Sequence, residues 1–395
     1  MLKCLAVQNY RSLLNLTVPL GELNVTTGPN GSGKSNLYRS LQLLAQTAKG
    51  GVVNALAREG GLDSAFWAGP EKITKGMRSG ETAVQGGPKS KTPRIRLGFV
   101  SEEFGYAIAM GFPPNHGFAS HGEPSKFRLD PEIKHESIWA GDVCRPANKL
   151  VERSGPVLKT RDRRKWHVLN QYLDTFESMF SDVRHGELAP ELFHMRQQIL
   201  GWRFYDQFRT DQESLARLPQ IGTRTPVVSQ DGRDLAAALQ TILEIGDRPT
   251  LEEAIDSAVP GATLNIDVDS GARFHLSLNQ PGLLRPLSGL ELSDGTLRFL
   301  FLVAALLTPR PPTLMVLNEP ETSLHPDLLP AVAKLIVSAS KQTQIWVVSH
   351  AARLVNALKE HPSCNALPLE KDLGETGLLD QGMLDEPAWR WPDNK

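Results

Sequence analysis

The stretch GPNGSGKS at residues 28–35 limits what this chain can fold into more than any other part of it. It fits G-x-x-x-x-G-K-[ST] at every fixed position, with the apolar ELNVTTG before it and the helix-periodic KSNLYRSLQLLAQTA overlapping its end. Glycines let successive backbone N–H groups turn inward around an anion, the lysine adds a point charge, and the following hydroxyl suits Mg2+. Strand, glycine turn and helix therefore form half of a nucleotide-binding α/β unit, with the helix predicted from Lys34 to about Ala48. The residues predicted to contact nucleotide are Asn30, Gly31, Ser32, Gly33, Lys34 and Ser35, with Ser35 also a ligand of the metal.

LMVLNEPETSLH at residues 314–325 is the expected counterpart, an apolar strand that delivers polar side chains to the phosphates. Because Leu317 ends the apolar run, Asn318 falls at the metal-side position and Glu319 at the position of the residue that orients the attacking water. A shifted strand would make Glu319 the metal ligand and Glu321 the base. An amide at 318 keeps a hydrogen-bonding oxygen but removes a full charge beside Mg2+, so slow hydrolysis is expected rather than none. LSDGT at 292–296 opens a further helix, and VVSH at 347–350 ends a further strand.

With 395 residues, 40% of them hydrophobic and 22% charged, the chain is long enough for a packed core and is not of disordered composition. Lysine and arginine number 43 against 44 acids, which excludes a global basic field. Cys4, Cys144 and Cys364 lack CxxC spacing, so neither a disulfide framework nor a zinc site is expected. FLFLVAALL at 299–307 is too short to span a bilayer, and the expectation is a soluble cytoplasmic protein with no membrane partner.

Helices are predicted at about 165–180, 191–208, 232–245, 250–258, 297–307, 327–340 and 350–359, and strands at 313–317 and 344–348. Short strands are read between 95 and 160, and in TLNIDVD and RFHLSLN. The two ends of the sequence read as halves of one domain, 1–49 and 289–370, with 50–288 inserted and 371–395 a tail. Prolines through the insert forbid a long coiled coil. The tail is expected to be partly disordered, with Trp389 and Trp391 the residues able to pack back.

The ordered set GPNGSGKS, LSDGT, NEPETSLHP and VVSH resembles the ATP-binding-cassette ATPases, and within them the RecF, OLD and SMC-like branch, whose NFRSF opening is similar to VQNYRSL here. More closely the chain resembles bacterial RecF-like ATPases with a single AAA-type domain. The resemblance implies an α/β fold, a P-loop NTPase of ABC-ATPase head type split by a long inserted α+β region. It also implies ATP and Mg2+, with ATP sandwiched in a homodimer between one protomer's phosphate loop and the signature of the other. Ser293 and Gly295 would reach the γ-phosphate in trans, His350 would contact it, and Ser323 in TSLHP would line the seam. Tyr10 and Arg11 would lie near the nucleotide, or Tyr10 would pack in the core. Asp294 departs from the transport members, which carry glycine there, and Gln85 is a poor candidate for the glutamine that senses Mg2+.

Three roles are open to such an ATPase: DNA repair, maintenance or phage defence; a nucleotide-state switch acting on a separate effector protein encoded nearby; or a transporter motor, which the long insert and NYRSL opening disfavour. Two basic runs, 159–166 and 89–96, are candidate DNA contacts or solvated loops. WRFYDQF at 202–208 reads as core packing before base stacking, and the acids at 130–136 with His135 as a solvated strand face before a metal site. No nuclease-like acidic cluster comes after His350, so a second chemistry is expected to come from a partner.

Overall fold

The computed structural model describes residues 1–70, 73–83, 93–113, 126–127, 129–181, 188–206, 208–379, 381–382 and 385–393. The chain forms two compact units, one of residues 1–20, 28–201 and 367–395, the other of 21–27 and 202–366.

The first unit is built on an eight-stranded sheet in the order Leu13–Pro19, Leu2–Tyr10, Ile95–Ser101, Phe104–Gly111, Glu132–Ala140, Lys149–Ser154, Val157–Asp162, Lys165–Asn170. All neighbours are antiparallel, and where a short turn joins consecutive strands, as between Ile95–Ser101 and Phe104–Gly111, that order is required. The helix Lys34–Ala48 has the extent read from the sequence and buries Leu37, Leu41, Leu44, Ala45 and Ala48, a stripe at helical spacing. Residues 165–170, predicted helical, are instead a strand paired to Val157–Asp162. The hairpin turns at Arg163, with φ 54°, and Arg164, so no glycine or asparagine advertised the turn.

A fully buried ion pair sits inside this sheet. Arg153 Nη1 lies 2.9 Å from Glu136 Oε2, and both side chains are 0% exposed. Glu136 also accepts from Tyr106 Oη, Ser178 Oγ and Met179 N, while Arg153 donates to the carbonyls of Asp174, Glu177 and Gly155. The pair thereby fastens the segment 174–179 to the sheet.

In the second unit, Arg203–Tyr205, Leu314–Asn318, Gln344–Val348 and Leu23–Thr27 lie side by side, all parallel. Continuous apolar runs such as LMVL and IWVV are what a parallel strand covered on both faces needs. Asp294–Leu306, Leu329–Ser340 and Ala352–Lys359 supply the alternating helices, and Leu235–Ile245 and Arg248–Ala258 join the same core. The predicted helix over 191–208 breaks into Pro190–Leu200 and the strand Arg203–Tyr205, with Gly201 between them. There Trp202, Phe204, Tyr205 and Phe208 are buried, so the aromatic stripe is core.

Candidate functional site

The phosphate loop belongs to the first unit. Gly28, Gly31 and Gly33 have φ of 150°, 80° and 104°, and a Cβ at Gly33 would collide with Thr376 Oγ1, so only glycine fits there. Ser32 N donates to Pro29 O at 3.2 Å, and Asn36 N and Leu37 N donate to Gly33 O as the helix begins. The Lys34 ammonium donates to Gly28 O at 2.6 Å and Pro29 O at 3.0 Å. Lys34 is 8% exposed, and no carboxylate partners it among the described residues. Among the described residues Ser32 Oγ is buried without a hydrogen bond, and Ser35 and Asn30 are exposed at the mouth. A buried cation held only by backbone carbonyls, beside an orphaned hydroxyl, is chemistry that an oxyanion completes.

Two further residues secure the loop, and neither carries a sequence signal. The Thr376 hydroxyl donates to Ser32 O at 2.9 Å and shares a 2.7 Å hydrogen bond with Ser12 Oγ, which also accepts from Asn36 Nδ2 at 2.8 Å. Thr376→Val nearly keeps the volume but removes the hydroxyl and with it the bonds to the loop and to Ser12. The expected result is nucleotide affinity lower by roughly 5-fold, the equivalent of about 1 kcal/mol, in a fluorescent-nucleotide titration.

Tyr10 is buried and donates to Glu59 Oε2 at 2.6 Å, and burial together with that carboxylate pushes its phenol far above its ordinary value. Arg11 donates to the same oxygen from Nε and Nη2. Tyr10 is therefore core, and the Arg11 charge is matched by Glu59. Gln85 lies outside the described residues.

In the second unit the parallel strands end in one row, Thr26 beside Val348 and Val348 beside Asn318. Such carboxyl ends are where open α/β sheets place their ligands. The phosphate loop leaves the first of these strands directly, Asn318 is the last residue of another, and His350 comes just after the third. The Asn318 side chain makes no hydrogen bond among the described residues.

Glu319 takes the left-handed φ of 49°, which is strained for a residue with a Cβ. Its N–H donates to Val348 O at 2.8 Å and its carbonyl accepts from Arg298 Nη2 at 2.9 Å. With the backbone pinned at both sides, the side chain is left 46% exposed, its Oε1 3.8 Å from His350 Nδ1. Glu321 is the opposite case, with its side chain 7% exposed. Its Oε1 accepts from Ser349 Oγ at 2.7 Å, His350 N at 3.1 Å and Ala351 N at 3.2 Å, so it anchors the histidine segment. Arg298 is buried and lies 5.5 Å over the Phe208 ring; burial lowers its pKa, while Glu321 and Glu319 oppose that shift.

The signature segment is in the same unit. Ser293 caps the helix Asp294–Leu306, its Oγ accepting from Thr296 N at 3.1 Å, and is itself exposed. A Cβ on Gly295 would lie 2.8 Å from Ser323 O, so glycine permits the close approach of TSLHP, where Ser323 has φ 64°. The charge of Asp294 is met by Arg217 Nη2, and Arg217 also donates to Leu292 O and Thr210 O. Arg217 and Arg298 were not legible as site residues, because both act across long stretches of sequence. Among the described residues no group of three His, Cys, Asp or Glu could hold a metal, and no helix is long and apolar enough to cross a membrane.

A family model described as "AAA domain, putative AbiEii toxin, Type IV TA system" matches residues 23–356. The chain belongs to this family. The OLD nuclease of Thermus scotoductus is 46% identical over 44 residues, a match spanning 11% of this chain and 8% of that protein. The fold is similar to that of an SMC head bound to the C-winged helix domain of ScpA, at 13% identity and TM-score 0.51 over 97% of this chain and 98% of that one. The Smc head with a coiled coil and joint from Pyrococcus yayanosii is similar at 9% identity and TM-score 0.51 over 98% of each chain. The family member described here thus has an α/β fold similar to that of SMC heads.

Of the basic runs, the described part of 89–96 is ion-paired, with Arg94 and Arg96 on Asp393. In 159–166, Arg161 donates to Pro146 O and Ala147 O and lies 6.0 Å over the exposed Trp166. The acids near His135 are likewise committed, Glu132 to Lys134, Glu136 to Arg153, and His135 itself to Glu152.

Proposed function

We propose that this protein binds ATP with Mg2+ and hydrolyses it slowly to ADP and phosphate in a head-to-head homodimer, in the cytoplasm, serving DNA maintenance or phage defence. The observation that carries the reading is the phosphate loop, where, among the described residues, the buried Lys34 ammonium has only backbone carbonyls for partners and Ser32 Oγ has none. Lys34 and the loop N–H groups bind the β- and γ-phosphates. Glu319, exposed on a pinned backbone, orients the attacking water and takes its proton, and His350 contacts the γ-phosphate. Ser293 and the free N–H groups at its helix start meet the γ-phosphate of the other protomer, with Gly295 leaving room. Arg217 supports this by neutralising Asp294, which would otherwise repel the phosphates.

Mg2+, when bound, neutralises phosphate charge; Ser35 Oγ and the Asn318 carboxamide, which has no partner among the described residues, are the groups that would hold it or its water. Asn318→Asp restores a full charge, and the Mg2+ concentration giving half-maximal turnover is expected to fall roughly 10-fold. An unchanged metal titration removes Asn318 from the site. Lys34→Ala is expected to remove one equivalent of bound ATP in equilibrium dialysis and to abolish turnover, and unchanged stoichiometry with retained turnover would end the ATPase reading. A nucleotide-state switch on a separate effector protein is the second reading, favoured by the exposed Ser293 and TSLHP surface. Co-purification of a partner only with ATP present distinguishes it from direct DNA binding.

A further inference from the structure

Within the first unit, strands Glu132–Ala140, Lys149–Ser154 and Val157–Asp162, the loop after Ala140 and the C-terminal segment enclose a cavity of about 830 Å3. That volume is typical of small-molecule sites. It shares no residue with the phosphate loop. Among the described residues six cationic side chains line it, Arg94, Lys134, Arg145, Lys149, Lys159 and Arg390, against two carboxylates, Glu152 and Asp393.

The carboxylates are already committed. Asp393 lies 2.9 Å from both Arg94 Nη1 and Arg96 Nε. Glu152 is paired with His135 at 3.1 Å and Lys149 at 2.7 Å, and these two partners hold its carboxyl down to about 2. Lys134 has its own partner in Glu132. Arg145, Lys159 and Arg390 make no ion pair or side-chain hydrogen bond among the described residues. They come from a loop, a strand and the chain end, so their convergence is not the solvated face of one element, and like charges gathered in one concavity repel until an anion enters.

The buried Trp391 forms part of the wall, stacked edge-on against Trp389 at 5.1 Å, which in turn meets Trp139 at 5.7 Å. Lys149 Nζ donates to Pro392 O at 3.0 Å, tying the same segment to the sheet. Anything bridging Arg390 to Arg145 and Lys159 therefore adds to the docking of the C-terminal segment.

We propose that this cavity is a second anion site that takes the phosphates of a nucleotide, and that the C-terminal segment forms one wall of it. The phosphates belong either to a free nucleotide or to the phosphorylated end of a nucleic-acid strand, which present the same chemistry. The proposal does not depend on ATP turnover.

The test is calorimetric titration of tripolyphosphate into the full chain carrying Lys34→Ala, which removes the charge of the phosphate loop, with tryptophan fluorescence followed in parallel. One equivalent is expected to bind with a change in fluorescence. Adding Arg145→Gln, Lys159→Gln and Arg390→Gln is expected to weaken binding at least 10-fold, roughly 1.4 kcal/mol, at an unchanged melting temperature. Should that variant fold poorly, Arg390→Gln alone, at an exposed position, is expected to weaken binding several-fold, while Arg390→Lys retains it. No binding, or equal binding by parent and glutamine variants, overturns the proposal. A 5′-phosphorylated oligonucleotide that binds better than its 5′-hydroxyl counterpart, with the preference lost in the triple variant, assigns the strand end. Tripolyphosphate binding without that preference assigns the free nucleotide.

Discussion

A Glu319→Gln chain is expected to bind ATP as the parent does while losing turnover by roughly 10²–10⁴-fold, the contribution typical of a positioned general base. The expectation rests on how the residue is held. Strand pairing fixes the Glu319 N–H on Val348 O, and Arg298 fixes its carbonyl. The left-handed backbone at φ 49° goes with a side chain left 46% exposed, which suits a carboxylate that has to reach water. Glutamine has the same shape, so the fold survives. Glu321→Gln is the control, because its carboxylate organises Ser349, His350 and Ala351 from a buried position. Single-turnover kinetics in which Glu319→Gln keeps the parental rate would move the base to Glu321.

Arg153→Met is expected to have the largest effect on stability, a loss of about 3–5 kcal/mol in the urea unfolding of the first unit. Nearly all of it is the cost of leaving the Glu136 carboxylate buried without its cation. The carbonyls of Asp174, Glu177 and Gly155 lose their donor as well. Adding Glu136→Gln removes the uncompensated charge and is expected to recover part of the loss, since Tyr106, Ser178 and Met179 still have an oxygen to bond. A single variant no less stable than the parent would mean that the pair is not closed off from water.

The range of each interaction decides how far the amino-acid order reveals it. The helix Lys34–Ala48 and the strand Gln344–Val348 were legible to the residue, because an apolar stripe and an apolar run report local burial directly. The strand Lys165–Asn170 was not, since its exposed Trp166 and Val168 carry no inward face and its turn uses Arg163. Gly201 separates helix from strand in 191–208, but a lone glycine carries no information on whether the next element is a helix or a strand. At the site, the loop residues, Asn318, Glu319, Ser293 and His350 each sit in a local motif. Thr376, Arg217 and Arg298 act on Ser32, Asp294 and Glu319 from far along the chain, and only folding reveals them.

Two inactive variants, mixed, give the most direct test of whether two copies jointly build each catalytic pocket. Lys34→Ala disables the loop and Ser293→Arg blocks the exposed helix start, so neither chain alone turns over ATP. If pockets form across a symmetric dimer, random pairing leaves one intact pocket in each mixed dimer, and turnover recovers to about a quarter of the parental value. Turnover that stays at the background of the separate variants, with both still folded, would contradict the shared pocket.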